Sequence, residues 1–177
     1  KQIYNFSKQY HDHGHQNKFI NNRGNDTAKI FGFNYRMTEM QGIIGKVQLE
    51  RMNLILRQNK KRYDIMYKYL KGKFNIRKIP KNSTSNYEAF IFSVEKLSLK
   101  KKIIKILQKN NLGTKNLPDA IKWHCSYYWK RGLPNKQIKN SIKTKNKLIQ
   151  MIAVPIFLKK KISLYSKVSR QIIKVSS

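Results

Sequence analysis

Apolar residues at 40, 43, 44 and 47, then at 52, 55 and 56, then at 63, 66 and 70 recur with the period of an α-helix. No other stretch constrains the fold as strongly. Thr38 with Gln41 three residues on forms a capping box: the hydroxyl accepts from an orphan amide of the first turn while the glutamine reaches back. Glu39 then sits where its charge suits the helix dipole, and Gly72 is the natural stop. The pattern predicts a single helix over 38–72, with one phase slip near Arg51. At ~1.5 Å per residue such a rod would be about 50 Å long. That is too long to pack against one small core, so it is expected to bridge two bodies. Gly42 and Gly45 share a face, and each weakens the helix by roughly 1 kcal/mol relative to Ala. They predict the close approach of another backbone, or else an ordinary core helix with two poor helix formers.

In front of this helix, Ile3, Phe6 and Tyr10 are spaced for one face of a short helix. Residues 11–36, dense in Gly, Asn and Asp, read as a long loop, and a loop of that length in a compact domain is usually functional. Behind the helix, FNIRKIP reads as a strand ended by Pro80. NYEAFIFSV reads as a strand with Phe90, Phe92 and Val94 on one side and Tyr87, Ala89, Ile91 and Ser93 on the other. A helix capped by Ser98 follows to Asn110, with Leu99, Ile103, Ile106 and Leu107 as its stripe. Thr114–Leu117 reads as a short strand, WHCSYYWKRGLPN as a loop or distorted helix, and 136–149 as a surface helix. MIAVPIFL is a strand whose Pro155 must lie at an edge or bulge, and Leu164, Val168, Ile172 and Val175 mark a last helix. Two strands, a helix, a strand and a helix behind one long helix give an α+β layer: a small, mostly antiparallel sheet with helices on one face.

The net charge of +31 suggests a polyanion partner, and a basic nucleic-acid-binding α+β module is the alternative reading. Two observations argue against specific nucleic-acid recognition. Residues with A/T-rich codons dominate, at 31 Lys, 22 Ile and 17 Asn of 177, a bias that mutation alone produces. Arg numbers only 8, although phosphate and base readers favour its planar fork. The lysine triplets Lys100–Lys102 and Lys159–Lys161 sit at element starts, where a solvated face and an anion site are both open readings. No apolar run approaches the ~20 residues of a membrane span, so no membrane partner is expected. Lone Cys125 offers no disulfide framework, which fits a reducing, cytoplasmic setting. The opening at Lys1, without a signal-type apolar core, leads to the expectation of a piece of a longer polypeptide.

His11, His13 and His15 alternate, with His124 and Cys125 later. Imidazoles and a thiolate suit zinc, but alternate positions on an extended segment do not make a tetrahedron. Hydrogen bonding to backbone or substrate is therefore expected rather than a metal site. No nucleophile–base pair and no glycine-rich phosphate loop occurs.

The run DHGHQN and then RGNDTAKIFGFNYRMTEMQGIIGKVQLERM resembles the DegT/DnrJ/EryC1/StrS family of sugar aminotransferases, as do the later segments LGTKNLPDAIKWHCSYYWK and MIAVPIF. DHGH, RGNDT and GTKNLPDAIKWH are similar to the branch that makes 8-amino-3,8-dideoxy-manno-octulosonate. The resemblance implies a pyridoxal 5'-phosphate enzyme of the α/β fold type I, of which this chain is the C-terminal part. Residues 1–37 would be the end of the large domain with an active-site loop, 38–72 the connecting helix, and 73–177 a small α+β domain. It further implies a cytoplasmic homodimer with shared active sites, acting on a sugar and an amino-acid donor such as glutamate for surface (lipopolysaccharide) polysaccharide synthesis. By the same resemblance Asn34 and Arg36 would serve the cofactor, Asn34 at the phosphate in the neighbouring subunit. An ion pair with Glu39 is the competing role for Arg36. His13, Tyr35, Lys115 and His124 would border the sugar, while Trp123 and Tyr127 are expected to pack in the core. The family's Schiff-base lysine lies upstream of the HG loop, with no counterpart here. No catalytic residue is assigned, and the chain alone is expected to be inactive, because a reactive lysine needs desolvation and placement.

Overall fold

The computed structural model describes residues 1–16, 18, 25, 30–113 and 121–176, and two compact units divide between Arg51 and Met52. The first unit contains helix α1 (Gln2–Tyr10), a loop hairpin and helix α2 (Glu39–Glu50). The capping box forms as expected: the Gln41 amide donates to Thr38 Oγ1 at 3.3 Å and the Thr38 amide to Gln41 Oε1 at 2.9 Å.

The expected 38–72 helix runs as two segments: α3 (Met52–Leu70) follows α2 after the single residue Arg51 (φ −86°, ψ −5°), which keeps right-handed helical backbone and donates its amide to Val47 O at 3.3 Å. That junction falls at the phase slip of the apolar stripe, and the two segments belong to different units. No residue of α2 is buried. The backbone expected beside Gly42 and Gly45 is not among the described residues: a Cβ at Gly42 would meet only Met37 Sδ at 3.9 Å, and one at Gly45 nothing within 4 Å.

The second unit is built on a three-stranded antiparallel sheet, in the order β1 (Asn75–Ile76), β2 (Ala89–Ser93), β3 (Met151–Pro155). Phe90 pairs with Val154, Phe92 with Ile152, and Ala89 with Pro155. Pro155 therefore closes an edge strand, where its missing N–H costs no ladder bond. Gly72, at φ +79°, makes the left-handed turn out of α3.

Alternation along β2 sends Phe90 and Phe92 into a core with Ile152, Val154 and Ile156 of β3 and its extension. Three helices close that core from the same side: α3 with Tyr63, Met66 and Leu70, α4 (Leu97–Lys109) with Ile103 and Leu107, and α8 (Ile162–Ser176) with Tyr165, Val168 and Ile172. Each such side chain stabilises the fold by roughly 1.5–3 kcal/mol on burial. Ser98 does not cap α4. The N-cap is Lys96, without a side-chain bond, and the helix starts one residue before Ser98. Helices α5 (Ile121–His124), α6 (Asn135–Asn140) and α7 (Ile142–Gln150), with a 3-10 turn at Ser126–Tyr128, make up the segment before β3. The strand expected over 114–117 lies outside the described residues.

Two buried cations fasten the unit through backbone carbonyls. Arg62, 6% exposed, donates to Leu158 O at 2.9 Å, Lys160 O at 3.0 Å and Gln58 O at 2.8 Å. Lys100 Nζ donates to Ile149 O, so the first lysine triplet begins with a structural residue. The Phe157 amide donates to Tyr165 Oη at 2.8 Å.

Candidate functional site

The hairpin of the first unit is held by three backbone bonds: Phe33 N to Tyr10 O at 2.8 Å, Tyr35 N to His11 O at 2.9 Å, and His13 N to Phe33 O at 3.1 Å. Asp12 bridges opposite Asn34. His13 (φ +52°) and Gly14 (φ +85°) turn the chain through the left-handed region, after which the Gly14 amide donates to Gln9 O at 2.8 Å. Gly32 is a steric requirement. A Cβ there would lie 2.4 Å from Gly14 N and 2.7 Å from Tyr10 O, both backbone atoms.

This register sets three polar side chains side by side. Asn34 Oδ1 accepts from Arg36 Nε at 3.2 Å and from the Arg36 amide at 3.4 Å. Arg36 Nε also lies 3.2 Å from Asp12 Oδ1. Arg36 is thus paired with Asp12, across the hairpin, and not with Glu39. Asp12 is 7% exposed while Asn34 and Arg36 face solvent. The buried carboxylate and the amide oxygen fix the guanidinium at Nε. Among the described residues the Asn34 amide N–H₂ and the Arg36 terminal nitrogens donate to no protein group. A donor pair of this kind suits an anionic oxygen, since amide and guanidinium both donate without titrating near neutrality. Tyr35, exposed, joins an aromatic group with its ring 5.7 Å from Phe33 and 6.3 Å from Tyr10. The His13 ring meets His15 edge-on at 6.0 Å.

The structure therefore brings Asn34, Arg36, Tyr35 and His13 onto one hairpin. His124 is exposed at the end of α5 and belongs to the second unit. Lys115 lies outside the described residues. Trp123 is not a core residue: it is 80% exposed, and its carbonyl accepts from Trp129 Nε1 at 3.0 Å. Tyr127 is half-buried beneath Lys145, whose Nζ is 4.5 Å from the ring centre. Among the described residues no group of three His, Cys, Asp or Glu is placed to hold a metal, and no helix is long and apolar enough to cross a membrane. Reading the sequence missed Asp12 and Gly32, both of which act only through the cross-hairpin register.

A helix-covered antiparallel sheet following a hairpin and a capped helix is the α+β form expected for the C-terminal part of a type I fold. The model of the DegT/DnrJ/EryC1/StrS aminotransferase family matches residues 1–163, and the chain belongs to that family. No curated protein matches the sequence. Among solved structures, a chain described as the sugar aminotransferase Spr1654 of Streptococcus pneumoniae in its PMP form is similar at TM-score 0.74 and 18% identity, over 99% of this chain and 45% of that one. Helicobacter pylori PseC, an aminotransferase of pseudoaminic acid biosynthesis, is similar at TM-score 0.67 and 16% identity, over 95% of this chain and 44% of that one. An aminotransferase from Psychrobacter cryohalolentis is similar at TM-score 0.70 and 16% identity, over 98% of this chain and 49% of that one. The chain thus spans about half the length of these relatives.

Proposed function

We propose that this chain is the C-terminal part of a pyridoxal 5'-phosphate-dependent sugar aminotransferase, with 1–37 as active-site loop, 38–72 as connector and 73–177 as small domain. The open donor pair of Asn34 and Arg36, on the stretch that carries the family motif, is the observation behind this reading. The cofactor, when bound, supplies an electron sink for the amino-group transfer. Asn34 would hold the cofactor phosphate of the neighbouring subunit through its amide N–H₂, and Arg36, paired at Nε with Asp12, would offer its terminal nitrogens to the same anion or to substrate. Tyr35, His13, Lys115 and His124 border the sugar. The reactive lysine comes from polypeptide outside 1–177, and the enzyme works as a cytoplasmic homodimer.

The apolar face of α2 supports a further covering body. Met40, Ile43, Ile44 and Val47 stand 44–68% exposed, an apolar stripe of the kind that marks a protein–protein contact. An amino-acid donor such as glutamate, and a keto or aldehyde sugar destined for surface polysaccharide, complete the reading.

Co-expression with the lysine-bearing N-terminal portion of a family member tests it. The paired chains should retain cofactor with an absorbance band distinct from that of free cofactor, and Asn34→Ala should weaken retention about tenfold or more. Unchanged retention in that variant removes Asn34 from the site. A cofactor band on the 177-residue chain alone, lost on changing one of its lysines, overturns the assignment of the reactive group elsewhere.

A further inference from the structure

The second lysine triplet has a different setting from the first. Lys159, Lys160 and Lys161, together with Lys167 and Arg170 of α8, line a concavity of about 550 Å³, completed by Ser163 and Leu164. Five of these seven residues are cations, against 39 of 177 in the whole chain, so overall composition does not account for the cluster. Ser163, Lys167 and Arg170 fall four and three residues apart and share one face of α8. None of the five cations has an ion-pair partner among the described residues.

The backbone that carries the triplet is fixed in place. The buried Arg62 guanidinium donates to Leu158 O at 2.9 Å and to Lys160 O at 3.0 and 3.2 Å, gripping the backbone on both sides of Lys159. The clamp is itself a cation with no carboxylate among its partners, so it adds to the charge it organises. Cations that surround one hollow repel one another, and a bound anion would relieve that repulsion.

We infer that this concavity is an anion site for a compact oligophosphate, a group of two or three linked phosphates. Several cations converging on one hollow favour dense charge over a single carboxylate, and lysine serves phosphate as a point charge without needing a fork. A hollow of this size admits a short phosphate chain. The site lies wholly in the second unit and does not depend on the cofactor reading.

Calorimetric titration of the full chain with inorganic tripolyphosphate, at about 0.15 M salt, tests the inference. One-to-one binding is expected, with pyrophosphate weaker and sulfate undetected. The double variant Lys159→Gln/Lys161→Gln should bind about tenfold or more weakly. Lys101→Gln/Lys102→Gln, which removes the same charge from the exposed face of α4, should bind within about twofold of the parent. Equal losses in the two double variants, or many tripolyphosphates per chain, would mean diffuse attraction to a basic surface and overturn the site. Tripolyphosphate binding no tighter than sulfate overturns it as well. Should the first double variant fail to melt cooperatively, Lys167→Gln on the exposed face of α8 replaces it, and unchanged binding there counts against the proposal.

Discussion

Gly32 shows how a single residue can decide the hairpin. Its absent side chain leaves room for the backbone of Tyr10, His13 and Gly14, all within 3 Å of where a Cβ would stand. Gly32→Ala should open the hairpin and separate Asp12 from Arg36, seen as faster amide exchange at Phe33 and Tyr35 with the melting of the second unit unchanged. Tyr165 offers a test by pH. Burial holds its phenol above the ordinary 10.0, against the opposing effects of the Phe157 amide and the nearby Arg62 charge. Below pH 10 the phenol is neutral in both folded and unfolded chains, so it makes no pH-dependent contribution. Above that pH the unfolded chain ionises first, and stability falls as pH rises toward the folded-state value. Tyr63, also raised chiefly by burial, adds to the same slope. Tyr165→Phe should shallow this alkaline decline while costing about 1–3 kcal/mol near neutrality, because the Phe157 amide loses its acceptor. Denaturant melts across the alkaline range measure both effects.

The elements divide by what they bury. Strand β2 was legible in the sequence because its alternation is strict, and Phe90 and Phe92 pack where that alternation sends them. Phe92→Ala should cost about 3–5 kcal/mol, the range for emptying a closed aromatic site, as read from the urea midpoint. Helix α2 was equally legible through its capping box, yet nothing among the described residues covers its apolar face. Ile43→Glu with Ile44→Glu should therefore leave the urea midpoint of the second unit in place while reducing self-association in sedimentation, the reverse of a core substitution. The one turn residue at Arg51 coincides with the phase slip, where the apolar stripe passes from the exposed face of α2 to the face of α3 that packs in the core of the second unit.

At the scale of the whole molecule, the family motif and the β-α order were carried by local sequence, and they sufficed for fold class and kinship. Periodicity, capping pairs and turn residues act within a few positions of one another, so the chain itself displays them. The partner of Arg36 was not displayed. Glu39 is near in sequence, but the hairpin register sets Asp12 against the guanidinium, and an arrangement of residues 24 positions apart exists only once the backbone has closed. The two lysine triplets make the same point. Alike on paper, one begins with a buried side chain bonded to Ile149 O and the other rims an open hollow clamped by Arg62. Local chemistry carried the strands β2 and β3 and the helices that flank them. Only tertiary packing decided which charges meet, because desolvation and distance, the terms that make a charge matter, belong to the folded chain.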